Sequence, residues 1–200
     1  MRIDELMQQV RTAAFGEILT TGRPCAVTSL ATATGVGEAE LLAAARRLLA
    51  AGRARMDEQR NLTAAAGISV TPTTHRISTR HGSRWTNCAY DALGILGALG
   101  ADGEVTSRSP FTGQQIGVTF SGGRPIGSGA VLFLADEPEG CRPNDEWCPY
   151  VNLFEDEASA MAWARAKHVP GRVVSLGEGT ELGAAEWRPL VAGHPWAGSG

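Results

Sequence analysis

Near residue 53 the hydrophobic period changes from helical to alternating, and that change constrains the fold more than any other feature of the chain. Before it, apolar side chains recur at helical spacing. Ile3, Leu6, Met7, Val10, Ala14 and Leu19 mark an amphipathic helix over 3–20, ended by Thr21-Gly22-Arg23-Pro24. A short helix over 28–34 follows, with Thr28 as its expected N-cap. After a Gly35/Gly37 turn, a longer helix runs over 38–51, with Leu41, Leu42, Ala45, Leu48 and Leu49 on one face. Beyond residue 53, the runs 68–71 and 74–79 alternate and are rich in β-branched residues, as strands of a small hairpin would be. Helices followed by a hairpin give the order of a winged helix.

The remainder mixes both periods. Residues 85–96 read as a helix capped by Thr86 or Asn87. Residues 105–107 and 115–120 alternate as strands around a turn at 110–113. The apolar run 130–134 reads as a buried strand, followed by a Pro- and acid-rich loop over 136–146. A strand over 148–154, a helix over 157–167, a strand over 172–176 and a frayed tail over 194–200 complete the reading. The expected class is α+β: a winged-helix-like N-terminal module over 1–80, then a mixed or antiparallel β-sheet core with flanking helices over 81–200.

Charge and composition exclude several functions. No apolar stretch approaches the roughly 20 residues of a membrane span, and the N-terminus lacks an apolar signal region, so a cytoplasmic protein with no membrane partner is expected. Residues 1–80 carry ten arginines against seven acids, too mild an excess for a dedicated nucleic-acid binder. The would-be recognition helix offers only Arg46, Arg47 and Arg53, so the module reads as scaffold rather than as a DNA reader.

Four cysteines remain to be explained: Cys25, Cys88, Cys141 and Cys148. None forms a Cys-x-x-Cys pair, and the spacing of Cys141 and Cys148 does not suit a closed zinc site. Cys88 and Asp91 lie three apart on the expected helix and share a face. In the first helical turn, Cys88 would feel a positive dipole end that favours thiolate, able to bind a soft metal or attack as a nucleophile beside an acid that moves protons. Taken alone, the pattern favours a buried structural thiol. Cys148, sixty residues on, would make a pair of soft ligands with Cys88 if the two met, which spacing cannot show. His81 and His168 read as surface residues, and Ser121-Gly122-Gly123-Arg124 as a hairpin turn.

The segment 87–93, Asn-Cys-Ala-Tyr-Asp-Ala-Leu, with Val105-Thr106-Ser107 and Thr112-Gly113 after it, resembles the organomercurial (alkylmercury) lyase family. Trp147-Cys148-Pro149-Tyr150-Val151-Asn152-Leu153-Phe154 resembles the segment that carries the family's second active-site cysteine. Residues 160–168 and 173–176 resemble the helix and strand that follow, and residues 22–51 its winged-helix-like part. Three positions depart from the family pattern: Asn87 where many members have an aromatic residue, and Ser109 and Pro149 where many have cysteine.

The resemblance implies a lyase that cleaves R–Hg⁺ to R–H and Hg²⁺. Cys88 would capture mercury, Cys148 would add a second sulfur, and Asp91 would relay the proton to carbon. It implies no organic cofactor, mercury being bound only as substrate and product. It also implies a cytosolic thiol or a mercuric reductase as acceptor of Hg²⁺. Two other readings stay open: a winged-helix regulator sensing a soft metal through Cys88 and Cys148, and a metal-binding homologue without turnover.

Overall fold

The computed structural model describes residues 2–198, which form an α+β fold. Three helices open the chain: α1 (Ile3–Thr21), α2 (Val27–Thr34) and α3 (Glu38–Ala50). The expected periodicity holds in α1 and α3, whose Val10, Phe15, Ile18, Leu41, Ala45 and Leu48 are buried. Thr28 is not a cap: α2 begins earlier, with Ala26 at the cap position and no side-chain bond there.

Five strands lead to the central helix: β1 (Ala54–Met56), β2 (Leu62–Ala65), β3 (Ile68–Ser69), β4 (His75–Thr79) and β5 (Gly82–Thr86). Helix α4 (Ala89–Leu99) follows, then β6 (Gly103–Arg108), β7 (Gln115–Ser121) and β8 (Arg124–Ile126). These eight strands form one antiparallel sheet in the order β1-β2-β3-β5-β4-β6-β7-β8. The expected two-strand hairpin over 68–79 is therefore not separate. β3 pairs with β2 and β5, and β4 with β5 and β6, because their inward residues (Ile68, His75 and Ile77) all require cover. The turn at residue 80 lies inside this sheet, which continues through both halves of the chain.

A second sheet has the order β10-β9-β11, from β9 (Val131–Ala135), β10 (Asn152–Phe154) and β11 (Gly171–Ser175). Helix α5 (Glu157–Lys167) packs on it through Trp163, which lies against Phe133 and Phe154. The strand expected over 148–154 is shorter than that. Residues Pro143–Trp147 form a π-helical turn and Cys148–Tyr150 a 3₁₀ turn, with Pro149 set early in the turn where its missing N–H costs nothing.

The last helix, α6 (Leu176–Val191), was not expected, and the tail expected to be frayed is docked up to Gly198. Trp196 is buried, stacks on His81 and covers the Arg84 guanidinium. That guanidinium donates to the carbonyls of Ile18, Leu19 and Thr20, the open end of α1. Residues 199 and 200 of the expected tail lie outside the described residues. Helix α4 is buried along most of its length between the large sheet and α6. Gly94 and Gly183 let α4 and α6 touch backbone to backbone: a Cβ on Gly94 would lie 2.9 Å from the Gly183 Cα.

Candidate active site

Helix α4 begins at Ala89 rather than at Trp85, since residues 82–86 complete β5. Cys88 is itself the N-cap, in place of the expected Thr86 or Asn87. Its backbone is extended, its sulfur accepts from the Asp91 N–H at 3.5 Å, and its own N–H donates to Asp91 Oδ2 at 2.9 Å. This reciprocal pair is a capping box with a thiol in the place of serine. It fixes the Cys88 sulfur and the Asp91 carboxylate over the same helix end.

The 3₁₀ turn brings Cys148 to them. The Ala89 N–H donates to the Val151 carbonyl at 3.2 Å, tying the start of α4 to the residue after that turn. One ligand atom each from Cys88, Asp91 and Cys148 then lies within 4.8 Å of the others, and all three residues are buried. Cys141 is half-buried in the preceding loop and is not part of this group, while Cys25 is buried with its thiol on Glu17. The three residues singled out in the sequence are thus brought together.

Cover for the carboxylate comes from a residue the sequence reading passed over. The β2–β3 turn is Ala66-Gly67, both at positive φ (48° and 85°). A Cβ on Gly67 would lie 2.6 Å from Asp91 Oδ1, so only glycine lets the turn close over the acid. The turn is pinned by the Trp187 indole N–H donating to the Ala66 carbonyl (2.8 Å) and the Asn87 N–H to the Gly67 carbonyl (2.8 Å). A glycine directly before the alternating run 68–71 was the available signal. A cavity of about 140 Å³ opens beside it, lined by Asp91, Cys148, Gly67, Asn144, Trp147 and Trp187 with Arg11, Arg53, Glu137 and Glu186. The first half of the chain therefore helps build the pocket. Asn87, at one of the departures, donates to the Asn144 side chain at 3.1 Å and bridges the segments bearing the two cysteines.

Burial governs the electrostatics. It holds the Cys88 thiol well above its ordinary pKa, helped by the neighbouring Cys148 and Asp91, and overrides the helix-end effect expected to favour thiolate. Burial also pushes the Asp91 carboxyl up, to about 6, against the hydrogen bonds from Cys88 that pull it down. A carboxyl so placed can take and return a proton near neutrality. Two thiols and one such acid make a site for a soft ion and a proton.

A family model described as "MerB: Alkylmercury lyase" matches residues 68–187. The chain belongs to the alkylmercury lyase family. The matched span contains all three site residues. A relative from Streptomyces lividans named alkylmercury lyase is 24% identical over 182 residues, covering 88% of this chain and 81% of its own. The fold is that of a solved structure titled the mercury-bound form of MerB2. The TM-score is 0.83 and the identity 21%, over 94% of this chain and 91% of that one. The lyase fold thus extends beyond the span matched by the family model.

Proposed function

We propose that this member of the alkylmercury lyase family cleaves the carbon–mercury bond of organomercury compounds with Cys88, Cys148 and Asp91. The observation that carries the assignment is the convergence of two buried sulfurs and one carboxyl whose pKa burial raises. Thiolates are the protein ligands that soft mercury prefers.

Access sets the order of events. Cys148 and Asp91 line the cavity, whereas Cys88 lies behind them, fully buried and protonated. Mercury of R–Hg–X therefore meets Cys148 first, and the Cys148 proton leaves with X. This reverses the order implied by the family resemblance, in which Cys88 captures the metal. The Cys88 thiol then gives its proton to Asp91 as its sulfur joins the mercury. Two sulfurs raise electron density on the metal, and the carbon–mercury pair takes the proton from Asp91. The hydrocarbon R–H leaves, Asp91 is again a carboxylate, and Hg²⁺ stays on Cys88 and Cys148. No organic cofactor enters this sequence.

A small cytosolic thiol or a mercuric reductase would take Hg²⁺ away, and a cytoplasmic setting suits that exchange. Among the described residues no helix is long and apolar enough to cross a membrane. Residues 1–80, read as a winged-helix-like module, enter as scaffold: their Arg11, Arg53 and Gly67 line the pocket of a catalytic part over 81–200. Asp91 favours turnover over metal sensing, since a sensor needs ligands and no proton carrier. The test is benzene release from phenylmercury in excess free thiol. Monodeuterated benzene in heavy water supports the assignment, and mercury binding without benzene contradicts it.

A further inference from the structure

His75 is a buried titratable group that no step above uses. It sits in β4, 3% exposed, with Ser107 of β6 (4%) and Asn152 of β10 (6%) around its ring. Ser107 Oγ lies 2.9 Å from His75 Nδ1. The Asn152 side chain lies beside the ring as well, and its Nδ2 donates to the Pro149 carbonyl at 2.9 Å. Pro149 follows Cys148 in the 3₁₀ turn.

The Asn152 contact favours the charged ring, as an acceptor Oδ1 on a ring N–H does, while its Nδ2 serves the Pro149 carbonyl. Burial keeps the ring neutral with one N–H, and with that N–H on Nε2 toward Asn152, Nδ1 accepts from the Ser107 hydroxyl. That burial lowers the His75 pKa, to about 4. The same strand pair also holds the other cysteine: Thr86, opposite His75 in the register, donates its hydroxyl to the Cys88 carbonyl at 3.0 Å. Both sulfur-bearing segments are thereby fixed to β4 and β5, and the chain through His75 spans the gap between the two sheets.

We propose that His75 is a positioning residue: through Asn152 it fixes the turn bearing Cys148, so that this sulfur and that of Cys88 meet on one mercury. The inference rests on the reading of Cys148 as a mercury ligand. Fixing partners of metal-binding groups typically matter by about 10–100-fold in affinity or activity.

The experiment counts Hg–S bonds by X-ray absorption on protein loaded with one equivalent of Hg²⁺ in thiol-free buffer, alongside single-turnover benzene release. Wild type should show two sulfurs. His75→Asn, too short to reach Asn152, should show one, with release slowed by about 10-fold or more. His75→Gln, which places an N–H near the old Nε2, should restore two. Asn152→Asp is isosteric and keeps the acceptor for His75 but loses the donor to Pro149. It should also show one sulfur, and it decides the matter if His75→Asn fails to fold. Two sulfurs and wild-type release in these variants, whatever their melting temperature, would reduce His75 to a structural role and overturn the proposal. One sulfur in wild type, or two in Cys148→Ser, would remove Cys148 from the site and so overturn the premise itself.

Discussion

Replacing Gly67 with alanine tests whether the carboxylate works only where the β2–β3 turn holds it. Two costs arise. The backbone at φ +85° disfavours a side chain by about 1–2 kcal/mol. The added Cβ would lie 2.6 Å from Asp91 Oδ1, where ordinary contact begins at 3.4 Å, so one of them must yield about 0.8 Å. Crowding of this kind adds about 1–3 kcal/mol. If Asp91 yields, its 2.9 Å bond from the Cys88 N–H is stretched, which would move the proposed proton carrier off the proposed mercury site. Misplacement near 1 Å costs about 10²-fold in rate. Gly35→Ala is the control: its φ is +69° and nothing lies within 4 Å of the new Cβ. Both variants should lose stability in thermal melts, Gly67→Ala more, and Gly35→Ala by roughly 2–8 °C. Only Gly67→Ala should lose benzene release, by about 10²-fold. Wild-type turnover in folded Gly67→Ala would refute the argument that this turn positions Asp91.

Three further outcomes follow from the same geometry. Cys88→Ser and Cys148→Ser should each abolish release, because a hydroxyl is a hard, high-pKa ligand for a soft metal; release near the wild-type rate in either would remove that residue from the site. In thiol titration of the native protein, half-buried Cys141 should react first. One equivalent of Hg²⁺ should then protect Cys88 and Cys148 on unfolding, and protection of Cys141 instead would contradict the grouping. Stability should also depend on pH through Asp91, whose pKa rises from 3.8 to about 6 on folding. The folded state favours the protonated acid, so wild type bears the full cost of ionisation above pH 6 and none below about pH 4. Asp91→Asn should therefore be more stable near pH 7–8, by on the order of 3 kcal/mol, with the gain fading in acid. A uniform loss of stability in chemical denaturation would mean that the acid serves only to cap α4.

Much of the helical architecture was legible because its periodicity is strong: α1, α3 and α5 lie within a residue of their expected bounds. Helix α6 was not, and the reason is physical. Its sequence holds Gly177, Gly179, Gly183 and Pro189, which argue against a helix locally. Yet Gly183 is what lets α6 reach α4, and a Cβ on Gly179 would meet Leu132 at 2.7 Å. Tertiary contact outweighs propensity there. The start of α4 was misplaced by the same kind of competition: Trp85 and Thr86 could begin a helix, but pairing with Ile68, Ser69, His75 and Arg76 keeps them in β5. Cys88 and Asp91 stood out by spacing. That they meet Cys148 came only from resemblance, because sixty residues and two sheets separate the sulfurs in the chain. The charge state of Cys88 was misjudged because the helix end was visible in the sequence and the burial was not.

In the proposed reaction everything turns on Asp91 carrying the proton to carbon. Its most direct test is single-turnover benzene release by Asp91→Asn with phenylmercury, measured beside thiol protection. Asparagine can still accept from the Cys88 N–H but cannot exchange a proton near neutrality. Phenylmercury should still protect protein thiols in this variant while release falls by on the order of 10²-fold or more. Release at the wild-type rate would show that another group protonates the carbon and would contradict the account.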